Sequence, residues 1–449
     1  MNLAIVGAGW AGLAAAVRAV QAGHQVTLFE SARNAGGRAR TVTVRTPDGI
    51  EHILDNGQHI LIGAYTETLR LMRLVGVEPE AVLRQQPLEL TYPDGSGLKL
   101  PDWPSPWDAV AGIVLAGGWR WRDRLAVLLR AAAWQRQGFR CAPDRSVAQL
   151  CERLSPAVVS GFIEPLCVSA LNTPASRASG QVFLRVLKDA MFGVSGGSRL
   201  LLPKVPLGQL FPEPALVWLG DRGCRLRLGE RVTQLQPLEA GWQLNGTAFD
   251  HVVLATASRD AVRLLSDCAS TAPRATAQAL QGWTTVAAPL QFEAITTVYA
   301  AGQRLSRPML SLHTSAAHPA QFVFDRGQLG GPGGLLAFVV SASQGDRAEL
   351  QSQVVRQASD QLGQNVIALQ TVVEKRATFA CTPQLQRPSQ HIAPGLSACG
   401  DYVDGPYPAT LEGAVRSGWA VGAPEAPNPI QASAPGQLNQ NAHRAPAGP

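Results

Sequence analysis

The opening of the chain alternates between apolar runs and a helical pattern. Residues 2–8 form a continuous apolar run closed by glycine, which predicts a buried β-strand. The Ala-rich residues 10–22 have helical periodicity that stops at Gly23, and residues 25–30 are alternating and β-branched, which predicts a second strand. A strand–helix–strand unit of about thirty residues has the size of one nucleotide-binding half of a doubly wound sheet.

Further along, helical and strand patterns follow one another without an internal repeat. The predicted segments are, in chain order, a helix over 69–75, a hairpin over 88–100, a helical region over 146–192 broken at Pro156, Pro165 and Pro174, strands over 225–254, a strand over 335–340, a helix over 348–362, and a strand, turn and helix over 396–421. Strand patterns thus return in the middle and at the end of the chain.

This pattern predicts an α/β fold: a discontinuous Rossmann-like nucleotide-binding domain with an inserted α+β substrate domain. The nucleotide-binding domain is expected at 1–62, 196–262 and 390–422, and the substrate domain at 63–195 and 263–389. The last stretch, 423–449, is rich in Pro, Ala, Gln and Asn and has little to bury, so we expect a disordered tail.

Composition describes a globular protein with a modest basic excess. Of its 449 residues, 46% are hydrophobic, which suffices for two domains and a sizeable core. The formal net charge is +6, with basic residues scattered rather than in blocks, so we expect no nucleic-acid partner. The 7 cysteines show no metal-ligand spacing, which predicts reduced, mostly packing residues and no metal site.

A glycine pattern of defined spacing joins the first strand to the first helix. Gly7, Gly9 and Gly12 form G-x-G-x-x-G directly after the strand, and Glu30 closes the second strand. These glycines allow a tight turn, close approach of the backbone to a pyrophosphate and close helix–strand packing, while the helix N-terminus attracts phosphate. The carboxylate of Glu30 would bind ribose hydroxyls and repel a 2′-phosphate. The pattern therefore indicates NAD or FAD and disfavours NADP.

A second glycine pair decides between these two dinucleotides. Gly36, Gly37 and Arg38 follow the second strand at once; the glycines let the backbone pass close to a ligand, and the arginine can pair with phosphate. Here the chain resembles the flavin-containing amine oxidase and carotenoid desaturase superfamily, in which a G-G-R segment follows the ribose-binding glutamate. The resemblance implies FAD as the cofactor and a glutathione-reductase-like FAD-binding domain.

The resemblance extends to the end and the middle of the chain. Gly400 and Asp401 resemble the superfamily's Gly-Asp beside the pyrophosphate and ribityl chain, and the helix that begins near Leu411 would point its N-terminus at the flavin. Such a terminus stabilises the negative charge of a reduced flavin. Val232, within a predicted strand pair, matches the residue whose backbone holds the adenine.

The segment Asp55-Asn56-Gly57-Gln58-His59 narrows the resemblance. Together with 201–207, 400–404 and 407–415, it resembles the squalene-associated FAD-dependent desaturases. That resemblance implies reduction of hydroxysqualene to squalene in squalene and hopanoid biosynthesis. A general acid would help the allylic hydroxyl leave, hydride from flavin N5 would reach the carbon, and a dry apolar tunnel would hold the substrate.

Asp55 and His59 are the candidate catalytic residues. Both are titratable, and the family pattern places them near the flavin ring, so each is expected to serve as acid or polar anchor. Each also has a structural interpretation, Asp55 as a turn cap and His59 as a hydrogen-bonded core residue. Lys375 could match the lysine that many amine oxidases place near flavin N5, but a surface position at a strand end is the favoured interpretation.

Tryptophans and arginines cluster in one part of the chain. Five of the 10 tryptophans are Trp103, Trp107, Trp119, Trp121 and Trp134. Arginines and apolar residues lie between them, a composition typical of an interfacial membrane segment. The hypothesis is a membrane-docking lid near 103–136; the alternative is a helix whose tryptophans pack inside.

Location follows from what the sequence lacks. Met1 leads directly into the first strand without a charged leader, and no uncharged apolar run reaches the roughly 18 residues of a spanning helix. We therefore expect a cytoplasmic protein with peripheral contact on the inner face of the membrane.

Other functions stay open at this point. A carotenoid or phytoene-type desaturase would share fold and cofactor and run in the oxidative direction, and a non-catalytic isoprenoid carrier would share the fold without redox chemistry. Amine oxidation is weaker, because the insertions are poor in charge. The sequence shows no second nucleotide fingerprint, so the electron donor is expected to be external, either transiently bound NAD(P)H or a protein.

Overall fold

The structure, a computed structural model, describes residues 1–45 and 51–424. Nearly all of the predicted tail, 423–449, lies outside the described residues. The described strands are β1 (Asn2–Val6), β2 (Gln25–Glu30), β3 (Thr41–Arg45), β4 (Glu51–Asp55), β5 (Leu61–Ile62), β6 (Leu83–Gln86), β7 (Glu89–Thr91), β8 (Gly97–Lys99), β9 (Leu200–Pro203), β10 (Arg225–Leu228), β11 (Leu235–Pro237), β12 (Trp242–Leu244), β13 (Thr247–Phe249), β14 (His251–Leu254), β15 (Phe292–Ala301), β16 (Met309–Ser311), β17 (Phe322–Asp325), β18 (Leu335–Ser343), β19 (Ile367–Phe379), β20 (His391–Ala393) and β21 (Leu396–Ala398).

Helices connect these strands and cover the sheets. The α-helices of the described residues are α1 (Trp10–Gln21), α2 (Thr66–Leu74), α3 (Pro79–Val82), α4 (Trp107–Leu115), α5 (Trp121–Arg136), α6 (Val147–Leu150), α7 (Pro156–Val158), α8 (Glu164–Leu171), α9 (Gly180–Phe192), α10 (Leu207–Leu210), α11 (Pro212–Gly220), α12 (Ser258–Ala269), α13 (Arg274–Ala287), α14 (Arg347–Leu362) and α15 (Leu411–Val421). A π-helical turn lies at Val159–Ile163 and a 3-10 helix at Arg326–Leu329.

A six-stranded sheet has the order β10-β2-β1-β14-β21-β20. The first five strands are parallel, and β20 pairs antiparallel with β21. Its strands come from three separate stretches of chain, which agrees with the α/β fold predicted from the alternating pattern. The exact domain boundaries stay predictions.

Close backbone packing joins the two ends of the chain. α1 lies on the sheet with residues such as Leu13 and Val17 fully buried, because its Ala-rich face leaves no bulk between helix and strand. α15 packs across α1, where a Cβ at Gly418 would overlap the carbonyl oxygen of Ala11. Gly12 similarly lies against the backbone of Gly7. Small residues thus bring the N-terminal ends of both helices to one place.

A five-stranded antiparallel sheet has the order β16-β17-β18-β15-β19. Its side chains alternate between two faces, as strand geometry requires. Phe338 and Val340 face α14 and pack with its Val354, whereas Phe324 and Val339 belong to a separate cluster on the opposite face. That opposite face forms one wall of the cleft described below.

The helical region after residue 146 differs from its prediction at Pro165. Pro156 and Pro174 lie at or beyond helix ends, but Pro165 lies near the start of α8, which continues directly from the π-helical turn. There the N–H of Glu164 bonds to the oxygen of Val159, five residues back. Because proline has no N–H to offer the Gly161 carbonyl, the Tyr92 hydroxyl donates to it instead, at 3.1 Å. The helix therefore continues through Pro165 without a break.

The tryptophan cluster divides into two groups. Trp119 and Trp134 are buried, with 8% and 6% exposure, while Trp103, Trp107 and Trp121 are between 58% and 66% exposed. Sequence composition alone did not separate them. No helix in the described part of the chain is long and apolar enough to cross a membrane.

Candidate active site

A cleft of about 710 Å³ lies between the two sheets. The loops at the carboxyl ends of β1, β2 and β14 line one side, together with the start of α15. In parallel sheets this is the edge at which ligands bind. Most of the predicted cofactor-binding residues line this cleft: Gly7, Gly9, Glu30, Gly36, Gly37, Arg38, Val232, Gly400, Asp401 and Leu411.

The two predicted glycine segments lie side by side. Gly7 has φ +111°, a conformation that strongly favours glycine, and its N–H donates to the carbonyl of Phe29 at 2.7 Å. The N–H of Gly36 donates to Ala8 at 2.8 Å, and Gly9 pairs with Gly36 as an isolated parallel bridge. Gly12 lies behind this surface, where it permits the contact between helix and turn. The result is a cradle of backbone at the N-terminus of α1.

Glu30 and Val232 lie together at one end of the cleft. Glu30 accepts hydrogen bonds from the N–H groups of Ala8 and Ala32, both at 2.8 Å, which fix its carboxylate. Val232 lies in an irregular segment between β10 and β11, and not in a strand as predicted. The side chain of Asn245 explains the difference, because it hydrogen-bonds the backbone of this segment in place of a neighbouring strand.

An ion pair between residues that are distant in sequence lies on the lining of the cleft. Arg38 pairs with Asp401, and its guanidinium also donates to the carbonyl of Ala377 at 2.8 Å. Burial is the largest single effect and lowers the pKa of Arg38, but the charge and hydrogen bond of Asp401, together with the charges of Glu374 and Tyr402, outweigh it and raise the pKa. The N–H of Gly400 donates to Ser417 at 2.9 Å. Sequence analysis predicted Arg38, Gly400 and Asp401 as site residues, but not that Arg38 and Asp401 would pair.

The first turn of α15 points into the cleft. Thr410 caps the helix by accepting from the Gly413 N–H at 3.0 Å, which leaves Leu411 on the cleft wall. The next residue, Glu412, is fully buried and accepts from the backbone N–H groups of Glu67 and Thr68 at the start of α2. This carboxylate, which sequence analysis missed, fixes the orientation of α15 relative to α2.

Polar atoms in the cleft fit a dinucleotide. Asn56 Nδ2, Thr256 Oγ1 and Tyr402 Oη are buried and have no hydrogen-bond partner among the described residues, and all three residues line the cleft. Buried polar groups normally have partners, so these three are suited to a ligand rich in hydrogen-bonding atoms. Together with the glycine cradle and the α1 and α15 N-termini, they fit the pyrophosphate and ring system of FAD.

Asp55 lies just outside the cleft. Its buried carboxylate accepts from the Leu207 N–H at 2.8 Å, and its backbone carbonyl accepts from the Tyr299 hydroxyl at 2.9 Å. Burial raises the pKa of Asp55 to about 6, against the opposing effects of the Leu207 hydrogen bond and the charge of Arg326. A raised pKa favours a general acid, but geometry comes first, and Asp55 is not among the described residues that line the cleft.

His59 and Gln58 do line the cleft. Burial, followed by the charge of Arg38, lowers the pKa of His59 to about 4, so its imidazole is neutral at physiological pH. It hydrogen-bonds the backbone of Arg38. Gln58 accepts from Arg326 at 3.3 Å. The segment 55–59 therefore places the side chains of Gln58 and His59 beside the predicted flavin position. Their hydrogen bonds to Arg326 and to the backbone of Arg38 hold them there.

Two further polar residues of the cleft were missed or undervalued. Lys375 lines it, although its place near the end of a long strand favoured a surface role. Asn172 adopts a left-handed conformation after α8, donates to Thr378 at 3.0 Å and accepts from the Ala342 N–H at 2.7 Å. No local sequence pattern predicts these contacts of Asn172, because they depend on the end of α8 meeting β18 and β19.

The far wall of the cleft is apolar. Alternate residues of the five-stranded sheet face it, and α8 contributes small and apolar residues. The wall consists of Phe292, Ile295, Phe322, Phe324, Val339, Val168 and Ala170. This surface suits a hydrocarbon and excludes water from the region next to the cofactor cradle.

The chain belongs to the family of flavin containing amine oxidoreductases, whose profile matches residues 10–422. Its cofactor is therefore FAD, and the chain is an FAD-dependent oxidoreductase, as predicted. No group of side chains in residues 1–45 and 51–424 is arranged to hold a metal ion.

Relatives resemble the chain over very different lengths. A protein of Rhodopseudomonas palustris named hydroxysqualene dehydroxylase is 26% identical, over 92% of this chain and 96% of its own. A zeta-carotene desaturase of Synechocystis is 38% identical, but over 19% of this chain and 17% of its own. The crystal structure of an oxidoreductase from Methanosarcina mazei superposes with a TM-score of 0.69 at 17% identity, covering 94% of this chain and 99% of that one. The last comparison supports the fold alone.

Proposed function

We propose that this protein reduces hydroxysqualene to squalene as a step of squalene or hopanoid synthesis. The observation that carries the proposal is the end-to-end similarity to hydroxysqualene dehydroxylase, 92% of this chain against 96% of the relative. The apolar wall of the cleft supports it, since the substrate is an isoprenoid chain with a single hydroxyl.

The reaction breaks one C–O bond and forms one C–H bond. The hydroxyl leaves with a proton as water, and the two electrons and the hydrogen of the new bond come from the reduced cofactor. Bound FAD, once reduced, supplies hydride at its N5. Everything else is positioning: the start of α15 and the glycine cradle hold the cofactor, and the apolar wall keeps the allylic carbon dry while positive charge develops.

His59 is the proposed polar anchor for the leaving hydroxyl. It lines the cleft, and its low pKa keeps it a neutral hydrogen-bonding group. Asp55 is a positioning residue in this proposal, because its carboxylate binds the Leu207 N–H rather than the cleft. Lys375 is the candidate donor of the proton that leaves with the hydroxyl, because it lines the same cleft.

The proposal also includes an electron donor and a cellular location for the protein. Electrons come from an external donor, NAD(P)H bound transiently or a reduced protein. The protein works in the cytoplasm and contacts the inner face of the membrane peripherally, because its substrate resides in lipid.

A desaturase acting on a carotenoid or phytoene is the alternative function. The local similarity to zeta-carotene desaturase favours it, and the apolar wall would accept such a chain. The same residues would then serve oxidation, with hydride moving from substrate to FAD. A carrier without redox chemistry is disfavoured by the complete FAD cradle.

One experiment separates these functions. The FAD-loaded protein is reduced without oxygen and mixed with hydroxysqualene in detergent, and separately the oxidised protein is mixed with phytoene. We expect hydroxysqualene to restore the oxidised flavin spectrum with formation of an equal amount of squalene. Reduction of the flavin by phytoene, with no response to hydroxysqualene, would instead establish the desaturase. A protein that responds to neither substrate would contradict both proposals.

A further inference from the structure

The exposed apolar side chains of this protein are concentrated in one place. Eight of the 14 large hydrophobic residues that stand exposed in the described part of the chain lie between 103 and 129. We call these eight the docking face: Trp103, Trp107, Val110, Val114, Leu115, Trp121, Leu125 and Leu129. A folded protein rarely exposes such a patch unless a partner covers it.

Helix geometry makes the docking face continuous. In α4, Trp107, Val110 and Val114 share one side, whereas Asp108 and Gly112 on the opposite side are buried. In α5, Trp121, Leu125 and Leu129 recur every four residues. Arg124 of α5 donates to the carbonyl of Ala116 just after α4, at 2.8 Å, so the two helices are held together.

Basic residues border the docking face. Residues 103–153 contain eight arginines and four carboxylates, a net charge of +4 out of +6 for the whole chain. The exposed residues Arg120, Arg122 and Arg136 lie within or just before α5, and none pairs with a carboxylate of the described residues.

A cleft of about 520 Å³ opens beside the same helix. Four arginines line it, with a single carboxylate, Glu152. The arginines are Arg130, Arg140, Arg145 and Arg153. Apolar and aromatic side chains bordered by unpaired arginines match the interior and the phosphate layer of an anionic membrane, and this charge favours lipid over a second copy of an equally basic chain.

The docking face is also connected to the substrate cleft. Trp119, between α4 and α5, packs edge-on against Phe162 of the π-helical turn, with ring centres 5.7 Å apart. That turn continues into α8, whose Val168 and Ala170 line the apolar wall. Docking would therefore place lipid next to the elements that enclose the substrate.

We propose that the docking face inserts into the surface of an anionic phospholipid bilayer, with the arginines around it binding the headgroup phosphates. The inference rests on the proposed function in so far as the substrate is drawn from that lipid.

The test is flotation of the full FAD-loaded chain with vesicles. Wild type should float with phosphatidylcholine vesicles that contain phosphatidylglycerol, and much less with phosphatidylcholine alone. The triple variant Trp107→Ser, Leu115→Ser, Leu129→Ser should partition roughly a hundredfold less, since each exposed apolar side chain contributes a factor of about ten or less. Its matched control, Val217→Ser with Ile367→Ser, changes residues that are 65% and 71% exposed elsewhere and should float like wild type.

Charge is tested separately. Exchanging Arg120, Arg122 and Arg136 for Gln should remove the preference for phosphatidylglycerol. The control set, Arg274, Arg304 and Arg347 to Gln, removes the same charge from exposed positions elsewhere and should preserve most of that preference.

Turnover distinguishes failure of docking from failure of the proposed function. The triple variant should reduce hydroxysqualene at the wild-type rate in detergent and lose the rate on vesicle-embedded substrate. If the triple variant floats as well as wild type, the docking proposal is wrong, whatever the enzyme does in detergent. If wild type does not float and forms a dimer that the triple variant abolishes, a second copy covers this face. Absence of turnover in detergent alone would contradict the function and leave the flotation result standing.

Discussion

At the scale of single residues, the segment 55–59 shows how neighbours take different roles. The carboxylate of Asp55 accepts from the Leu207 N–H outside the cleft, while Gln58 and His59 line the cleft. The strand β4 ends at Asp55, so the chain turns into the cleft immediately afterwards. A titratable residue in a recognisable motif can thus lie outside the cleft that its neighbours line.

Asp55 should make stability depend on pH in an unusual direction. Its pKa is raised from 3.8 to about 6 by burial, so the folded state holds the proton more tightly than the unfolded state. The protonated Asp55 carboxyl therefore contributes about 3 kcal/mol to the free energy of unfolding. This contribution is fully present below pH 3.8 and is lost as pH rises through about 6. Asp55→Asn, which keeps an oxygen for the Leu207 N–H, should abolish that loss. Urea unfolding at several pH values between 4 and 8 measures it.

The same Asp55→Asn variant should retain most of the rate of hydroxysqualene reduction. A proton donor at Asp55 would instead lose activity by a factor of about 10²–10⁴. A large loss of rate in a variant that is folded and holds FAD would assign the acid to Asp55.

His59 should act through a hydrogen bond and not through its charge. With a pKa near 4, it stays neutral from pH 6 to 8, so exchange of His59 should not alter the pH dependence of kcat in that range. We expect His59→Phe to lower kcat by about 10- to 100-fold and His59→Gln to recover part of it. Steady-state kinetics over this pH range, with flavin absorbance as a control for cofactor content, checks the expectation. A basic limb near pH 6.5 that disappears in His59→Gln would contradict it.

At the scale of elements, α1 and α15 form one unit at the edge of the proposed cofactor cleft. Both helices direct their N-termini into the cleft, and their contact depends on Gly418 lying against Ala11. The buried carboxylate of Glu412 ties the same unit to α2. Orientation of two helix ends toward one ligand therefore depends on packing behind them.

Gly418→Ala should separate these helices slightly and weaken FAD binding. The added methyl group overlaps the carbonyl of Ala11, and overpacking of this kind costs about 1–3 kcal/mol. Gly282→Ala is the matched control, because Gly282 lies in α13 with open space around its Cβ position, so alanine should stabilise by about 0.5–1 kcal/mol. Thermal unfolding and FAD titration distinguish the two. Equal effects of both substitutions would show that the α1–α15 contact is not tight.

Local patterns predicted the elements more completely than their surroundings. The glycine turn, Glu30 and the helix after Thr410 follow from spacing and cap chemistry, which act over a few residues. The burial of Trp119, the irregular backbone at Val232 and the π-helical turn before Pro165 depend on Phe162, Asn245 and Tyr92 respectively, which are distant in sequence. The Arg38–Asp401 pair lies beyond any local pattern for the same reason.

At the scale of the whole molecule, the cofactor site is divided along the chain. β1, β14 and β21 are neighbours in one sheet although they begin at residues 2, 251 and 396. The ion pair between Arg38 and Asp401 joins the same distant stretches. No single stretch supplies all the residues that line the cleft.

Truncation tests this division. A chain ending at residue 389 lacks β20, β21 and α15, so we expect it to bind no FAD and to unfold without a cooperative transition. A chain ending at Pro424 keeps every described element and should bind FAD like the full chain. Flavin fluorescence after gel filtration measures retention. FAD bound by the shorter chain would show that the N-terminal unit is sufficient.

The late position of α15 has a consequence for synthesis on the ribosome. α1 is synthesised well before the helix that covers it, which comes from residues 411–421. The Ala-rich face of α1 therefore stays uncovered while the residues between α1 and α15 are synthesised. If the truncation prediction holds, flavin is captured only after the last turn of α15 has left the exit tunnel. We then expect loading with FAD to act as a quality checkpoint, because a prematurely terminated chain should stay colourless and present an open apolar surface to the proteases and chaperones of the cell.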